Sequence, residues 1–533
     1  MKRIFTLFIF ILLNTTGFAQ YNFVKKSDLA ILDNKYSNIW GYAQNNKEYA
    51  LLGCQGSATL NDACAIIDVT NPSSPQVLFK VQGPPSLWRE VRTWQHYAYV
   101  TTEASDNTFG VTIVDLQYLP DSIKTKQYTA NGVISNVHAL HIDNGFLYLY
   151  GANNQVSQGG ALIIDLADPW NPNLVGAYTT HYVHDGIVRN NKMYAGEIFN
   201  GTFSIVDVTN KSQPLTLNSQ ITPNAFTHNT WLSTDSKYLY TTDEKPDSYV
   251  ASYDVTNPLN IIELDRYRRP LAAGAIPHNT YVLRDSMITG TNTDWVHTSY
   301  YTMGTTIVDA AKPDNLVEVA HFDTSPLTGN GFQGAWGVYP FLPSGNVLVS
   351  DMELGLFVLE PTYQRACYLE GTITDANTNL TIPNARVTMV GNSYTKNAKS
   401  NGSYKTGIIT PGDNVVRFTA PGYQTKELTV NLVRAQVTTL DVQLIQGASG
   451  IEDESLTKIN VYPTSVSEEL FIERLQENNA QVSISDLSGR LVYQANITGL
   501  KSTINLNKLT SGVYMIKISE NDAVTYLEKI LKL

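Results

Sequence analysis

A short apolar run closed by an acid recurs through the first two-thirds of this 533-residue chain. It reads Ile66-Ile67-Asp68, Ile113-Val114-Asp115, Ile163-Ile164-Asp165, Ile205-Val206-Asp207, Ser252-Tyr253-Asp254, Ile307-Val308-Asp309 and, degenerately, Val358-Leu359-Glu360, at spacings of 42–55 residues. Several copies run on into a turn, as in Val69-Thr70-Asn71-Pro72 and Val255-Thr256-Asn257-Pro258. Proline there ends the strand and sets the turn. The repeated Asp is expected to cap that turn through its side chain, a structural role and not a catalytic one.

A second column keeps step with the first: Trp40, Trp88, His138, His184, His228, His278 and Trp336. Between the columns each unit offers four short strands. In the third unit they are Val137–Ile142, Phe146–Gly151, Ala161–Leu166 and Asn173–Thr179. Four strands per unit of this length is the pattern of a propeller blade, and seven units make a seven-bladed β-propeller over residues 20–363. The seventh unit lacks a fourth strand, while Phe23–Leu32 precedes the first unit and has no blade of its own. That segment is expected to close the ring and remove two exposed edges.

The repeats of the Ile-Ile-Asp-Val-Thr-Asn-Pro type resemble LVIVD repeats, found in propellers of the choice-of-anchor B family. That family has no settled activity, and its name refers to the varied tails that attach its members to surfaces.

The flanks read differently. Lys2 and Arg3 precede an apolar run from Ile4 to Leu13, and Gly17-Phe18-Ala19 supplies small residues before Gln20. Residues 1–19 therefore read as a secretory signal peptide. No later apolar stretch is long enough to span a bilayer as a helix. Residues 367–446 carry alternating strands with Gly and Asn turns, as in Ser400-Asn401-Gly402-Ser403-Tyr404 and Val416-Arg417-Phe418-Thr419-Ala420. They suggest a small β-sandwich and resemble carboxypeptidase regulatory-like domains. Residues 447–456 form an acidic, glycine-bearing linker. Residues 457–533, with Val461-Tyr462-Pro463, the run through Asp486 to Arg490, Gly512–Ile518 and a basic apolar ending, resemble the C-terminal sorting domain of type IX secretion. Thr464 departs from the Asn-Pro that usually follows. The resemblance implies the type IX machinery and its sortase as partners, and an extracellular or outer-membrane-attached location in a Gram-negative bacterium. The fold class is thus all-β: a seven-bladed propeller followed by two small β-sandwich domains.

The net charge of −11 argues against nucleic acid as a partner. Export permits a disulfide, and Cys54 with Cys64 flanks the loop Gln55–Ala63. A bridge there would stabilise by about 2–3 kcal/mol; two buried thiols are the alternative. Cys367 is expected to pack as a small apolar residue.

One constellation could carry chemistry. His138, His184, His228 and His278 begin the first strands of four consecutive blades, so they should form an arc around one channel mouth. Glu103, Glu197, Asp243, Glu244 and Asp351 end second strands, which return to the same face. Imidazoles and carboxylates meeting there can bind a divalent metal, or the acids can orient the imidazoles. The competing account is structural, since a repeated His can serve packing and capping alone. No nucleophile elbow, zincin motif, P-loop or dinucleotide fingerprint is present. Two functions follow: a surface-attached protein recognising a glycan, peptide or envelope component, or a metal-dependent hydrolase or lyase.

Overall fold

The computed structural model describes residues 20–31, 34–57, 61–104, 109–152, 155–269, 274–392, 394–447, 459–462, 465–474, 479–486, 490–520 and 523–532. The expected signal peptide, and the linker beyond Gly447, lie outside the described residues. The chain divides into two compact units, Met1–Ala448 and Ser449–Leu533.

The first unit contains seven four-stranded antiparallel sheets built in the order the repeat demands. Their innermost strands are Tyr36–Gln44, Val91–Trp94, Ala139–Asp143, Asp185–Arg189, Thr227–Leu232, Thr280–Leu283 and Ala335–Tyr339. Each packs against the next, and the last packs against the first, so the sheets form a closed ring. We number the sheets as blades 1 to 7 in chain order.

The sequence pattern explains the layering within a blade. Third strands such as Ala161–Asp165 are buried at Ala161 through Ile164, because a middle strand is covered by the blades on either side. Fourth strands such as Lys124–Tyr128 are polar and mostly exposed, as the rim of the ring requires. The repeated acid caps the following turn: the Oδ1 of Asp68, Asp115, Asp165, Asp207, Asp254 and Asp309 accepts the N–H two residues on, at 2.8–3.0 Å. In blades 1, 3, 4, 5 and 6 a bulge falls at the same point, just before that acid. A repeated bulge there increases the twist of each outer edge.

The N-terminal segment closes the ring as expected. Phe23–Leu29 pairs antiparallel with Gly355–Pro361, from Phe23 opposite Pro361 to Leu29 opposite Leu356. Blade 7 therefore takes its outer strand from the start of the chain.

The 367–446 region forms two facing sheets, centred on Cys367–Asp375 and on Arg386–Met389 with Gly412–Thr419. It packs directly on the ring. Arg365 pairs with Asp309 at 2.7 Å, Lys312 with Glu370 at 3.2 Å, and Lys396 with Asp265 at 2.5 Å. Asn315 Nδ2 donates to the Thr406 carbonyl at 3.0 Å. Cys367 is buried and free.

The second unit is a separate sandwich. A three-stranded sheet of Asn460–Tyr462, Glu469–Glu473 and Lys501–Asn505 accompanies a five-stranded one that includes Ala480–Asp486, Gly512–Glu520 and Ala523–Lys532. Leu470, Ile472, Val482, Ile484, Ile516 and Ile518 are in its core. Among the described residues, no helix is long and apolar enough to cross a membrane.

Candidate functional site

The four histidines stand side by side where first strands begin. Ring centroids are 4.0 Å apart for His138 and His184, 4.3 Å for His184 and His228, and 4.1 Å for His228 and His278. Trp336 continues the arc 5.0 Å from His278. These residues, with Trp88, Glu90, Asp185, Glu244 and Asn279, line a small cavity of about 40 Å³. Strand register explains the arc. Residues 228 and 336 sit at bulges, which let two successive side chains turn toward the channel.

A polar ring lies one residue further along. Asn38 donates to Glu90, and Asn229 Nδ2 donates to Asp185 Oδ2 at 2.6 Å. Arg92 Nη1 donates to Glu90 Oε2 at 3.1 Å, and Arg92 Nη2 to the Tyr281 hydroxyl at 3.1 Å. Two residues deeper an aromatic layer fills the channel. Trp40 lies 4.7 Å from Tyr339, Trp231 4.8 Å from Tyr281, and the Arg92 guanidinium 4.2 Å from the Trp40 ring. The mouth is therefore a cup with a packed floor.

The electrostatics separate one histidine from the others. Burial alone would lower the pKa of His138, but the hydrogen bond from its Nδ1 to Glu103 at 2.6 Å, and the Glu103 charge, turn the shift upward. Burial, then the neighbouring rings, hold His184 and His228 well below the ordinary imidazole value. Burial takes His278 to about 3, against the hydrogen bond its Nδ1 makes to the Trp336 carbonyl at 2.6 Å. Burial pushes Glu244 up to about 7; it accepts from the Tyr301 hydroxyl at 2.5 Å and lies 3.7 Å from His278 Nε2. Burial likewise raises Asp185, and raises Glu90 to about 7. The cup thus presents the neutral imidazoles of His184, His228 and His278 beside Glu90 and Glu244, whose carboxyls titrate near neutrality, a combination common at functional sites.

Family models match three parts of the chain: the LVIVD repeat at residues 60–82 and 148–180, the carboxypeptidase regulatory-like domain at 368–445, and the secretion system C-terminal sorting domain at 460–532. The chain carries LVIVD repeats within its propeller. The sorting domain marks it as a secreted protein that engages a secretion machinery. No curated protein matches the chain. Among solved structures, the β-propeller domain of Myceliophteria thermophila Cps50 (Swd1) is similar over 62% of this chain and 98% of its own, with 11% identity and a TM-score of 0.43. A candidate 6-phosphogluconolactonase from Bacteroides fragilis is similar over 71% and 99%, with 9% identity and a TM-score of 0.45.

The LVIVD propeller brings only part of the expected constellation together. The four histidines, Glu103 and Glu244 meet at the mouth. Glu197, Asp243 and Asp351 do not line it. Glu197 accepts from the Tyr178 hydroxyl, the His181 ring and Thr202. Asp243 accepts from Thr222 and the N–H groups of Asn224 and Phe226. Asp351 accepts from Thr324 and the N–H groups of Glu353 and Leu354. These three are used up outside the cup: Glu197 and Asp243 by donors of the segments leading into their own blades, and Asp351 by N–H groups of the loop that follows it. Trp40 and Trp88 are also out of register with the histidines. Ser37 holds that place in blade 1, with Trp40 three residues further on in the aromatic floor, while Arg89 holds it in blade 2. Trp88 still reaches the mouth, 6.3 Å from His138. The sequence reading missed Glu90, Asp185 and Asn279, although each lies within two residues of the column.

The expected disulfide does not form, and Cys54 and Cys64 are free and buried. Gly53, not Cys54, stands opposite Cys64. Neighbours along a strand point to opposite faces. Cys54 therefore packs in the core between blades 1 and 7, and Cys64 in the core between blades 1 and 2. Burial pushes the Cys54 thiol up to about 12 and the Cys64 thiol well above its usual value.

Proposed function

We propose that this protein is a secreted, surface-attached propeller that recognises an extracellular saccharide at its channel mouth. The observation that carries this reading is the rim. Exposed aromatic rings stand around the cup, each beside a residue of the arc or its neighbour. Trp88 is 39% exposed and adjoins His138. Phe199 is 74% exposed and lies 4.8 Å from Tyr182, which adjoins His184. Phe332 is 56% exposed and lies 5.4 Å from Tyr301, which adjoins His278. Large apolar rings held in water around a polar cup suit a partner with apolar faces and many hydroxyls. Sugar rings have both: C–H faces for the aromatic rim, and hydroxyls for the carboxyl, amide and imidazole groups within.

The sorting domain supports delivery to the cell exterior, here by type IX secretion with sortase attachment after removal of the 1–19 signal peptide. Binding of the purified full chain to an array of glycans, peptides and envelope extracts tests the ligand class. A glycan signal that falls at least tenfold in Trp88→Ala and Phe199→Ala, with the thermal melt unchanged, is expected. Glycan binding that ignores both substitutions, or binding confined to peptides, refutes the saccharide reading.

A further inference from the structure

We propose that the mouth binds one divalent transition-metal ion of the zinc class through His184, His228 and Glu244. This inference goes beyond the saccharide reading and does not depend on it. His184, His228 and Glu244 each offer one ligand atom, and the three atoms lie within 4.8 Å of one another. Two neutral imidazoles and a carboxylate are a ligand set for zinc or a similar ion, and three protein ligands leave a fourth position open. A tetrahedral ion with bonds of about 2.1 Å sets its ligand atoms about 3.4 Å apart, so the separations need close by at most about 1.4 Å.

Independent features of the cup point to a missing occupant. Asn279 is 1% exposed and lines the cavity, yet neither its Oδ1 nor its Nδ2 has a hydrogen-bond partner. Buried polar atoms are rarely left unpaired, so an amide with both ends unpaired beside a cavity means that something polar belongs there. The surroundings already resemble the support that metal ligands need. The Tyr301 hydroxyl holds Glu244 from behind at 2.5 Å. The His228 carbonyl lies beside the His184 ring and the His278 carbonyl beside the His228 ring, where each can fix the Nδ1–H tautomer and leave Nε2 for the ion. His278 instead commits its Nδ1 to the Trp336 carbonyl, and His138 commits its own to Glu103. An ion with an open position could hold a sugar hydroxyl or carboxylate, and is also what a hydrolase or lyase here would need.

The test uses the full chain, free of any histidine tag, stripped with a chelator and dialysed. Titration with zinc alone, followed by elemental analysis, should give one ion per chain. His228→Gln and Glu244→Gln should each weaken binding at least tenfold, and Tyr301→Phe by about 10–100-fold, the range for a residue that orients a ligand. His297→Gln, a buried histidine outside the cup, should bind as the unaltered chain does. Should a variant fail to fold, the visible spectrum of the cobalt(II)-loaded unaltered chain decides: bands of a four-coordinate nitrogen–oxygen site are expected. Substoichiometric zinc, an octahedral cobalt spectrum, or binding that survives both ligand substitutions overturns the proposal.

Discussion

Replacing Phe23 by Ala tests whether the N-terminal strand closes the ring. Phe23 is 9% exposed, packs edge-on against Phe322 at 6.5 Å, and stands opposite Pro361 in the closing pair. Burying a phenylalanine and then truncating it costs about 3–5 kcal/mol, and a residue on an outer strand falls at the lower end, about 3 kcal/mol. A propeller of roughly 340 residues unfolds with an entropy of about 0.7 kcal/mol/K, so the melting temperature should fall by about 4 °C. Val24 supplies the control. It neighbours Phe23 on the same strand but is 54% exposed, and its replacement by Ala should cost under about 0.5 kcal/mol and shift the melt by less than about 1 °C. Differential scanning calorimetry of the two variants reads both numbers. Deleting residues 20–29 should go further and leave Gly355–Pro361 as an unpaired edge, which light scattering would detect as aggregation. If F23A melts with V24A, or the deleted chain stays monomeric and equally stable, the closure argument is wrong.

Three other outcomes are expected. A chain ending at Gly447 should lose surface display while its propeller keeps its melt, because the tail is a unit with its own core; surface display at normal levels would remove the export role of the tail. Thiol titration should find three reactive cysteines in denaturant without reductant and none in the native protein; a single thiol under denaturing conditions would restore the Cys54–Cys64 bridge. Glu318 is buried between the hydroxyls of Tyr21 and Tyr267, and burial raises it to about 8. The native state therefore keeps a proton that the unfolded chain releases above about pH 4.3, so stability falls as pH rises from about 4 toward 8. Glu318→Gln removes that dependence, and urea melts at pH 5 and pH 8 should show the variant gaining on the parent at the higher pH; an equal difference at both values would contradict the burial argument.

Local chemistry was readable along the chain. The Ile-Ile-Asp runs, their Asn-Pro turns and the aspartate caps involve residues within two or three positions, and the structure repeats them blade after blade. Ring closure was readable too, since a unit one strand short and a spare strand at the start leave few alternatives. The histidine arc followed from the same periodicity, because equivalent steps of a closed repeat fall on one ring.

What the sequence could not display was set by register and by contacts between blades. Trp40 pairs with Leu51, three residues past Ser37 at the mouth, and so lies in the floor although its spacing from Trp88 matches the column. One step along a strand separates Gly53 from Cys54 and sends the two cysteines into different cores. Glu103 and Glu244, just past the ends of second strands, reach the cup, while Glu197, Asp243 and Asp351, the last residues of theirs, bond elsewhere. The polar ring of Asn38, Glu90, Asp185 and Asn229 joins residues 52 and 44 positions apart, so its hydrogen bonds exist only once neighbouring blades are packed. Periodicity along the chain determined the repeat, the caps and the ring of histidines, because the caps depend on short separations and the ring on the recurrence of one step in every blade. Only the tertiary structure decided which side chains face the cup, because facing depends on single-residue register and on partners a blade away.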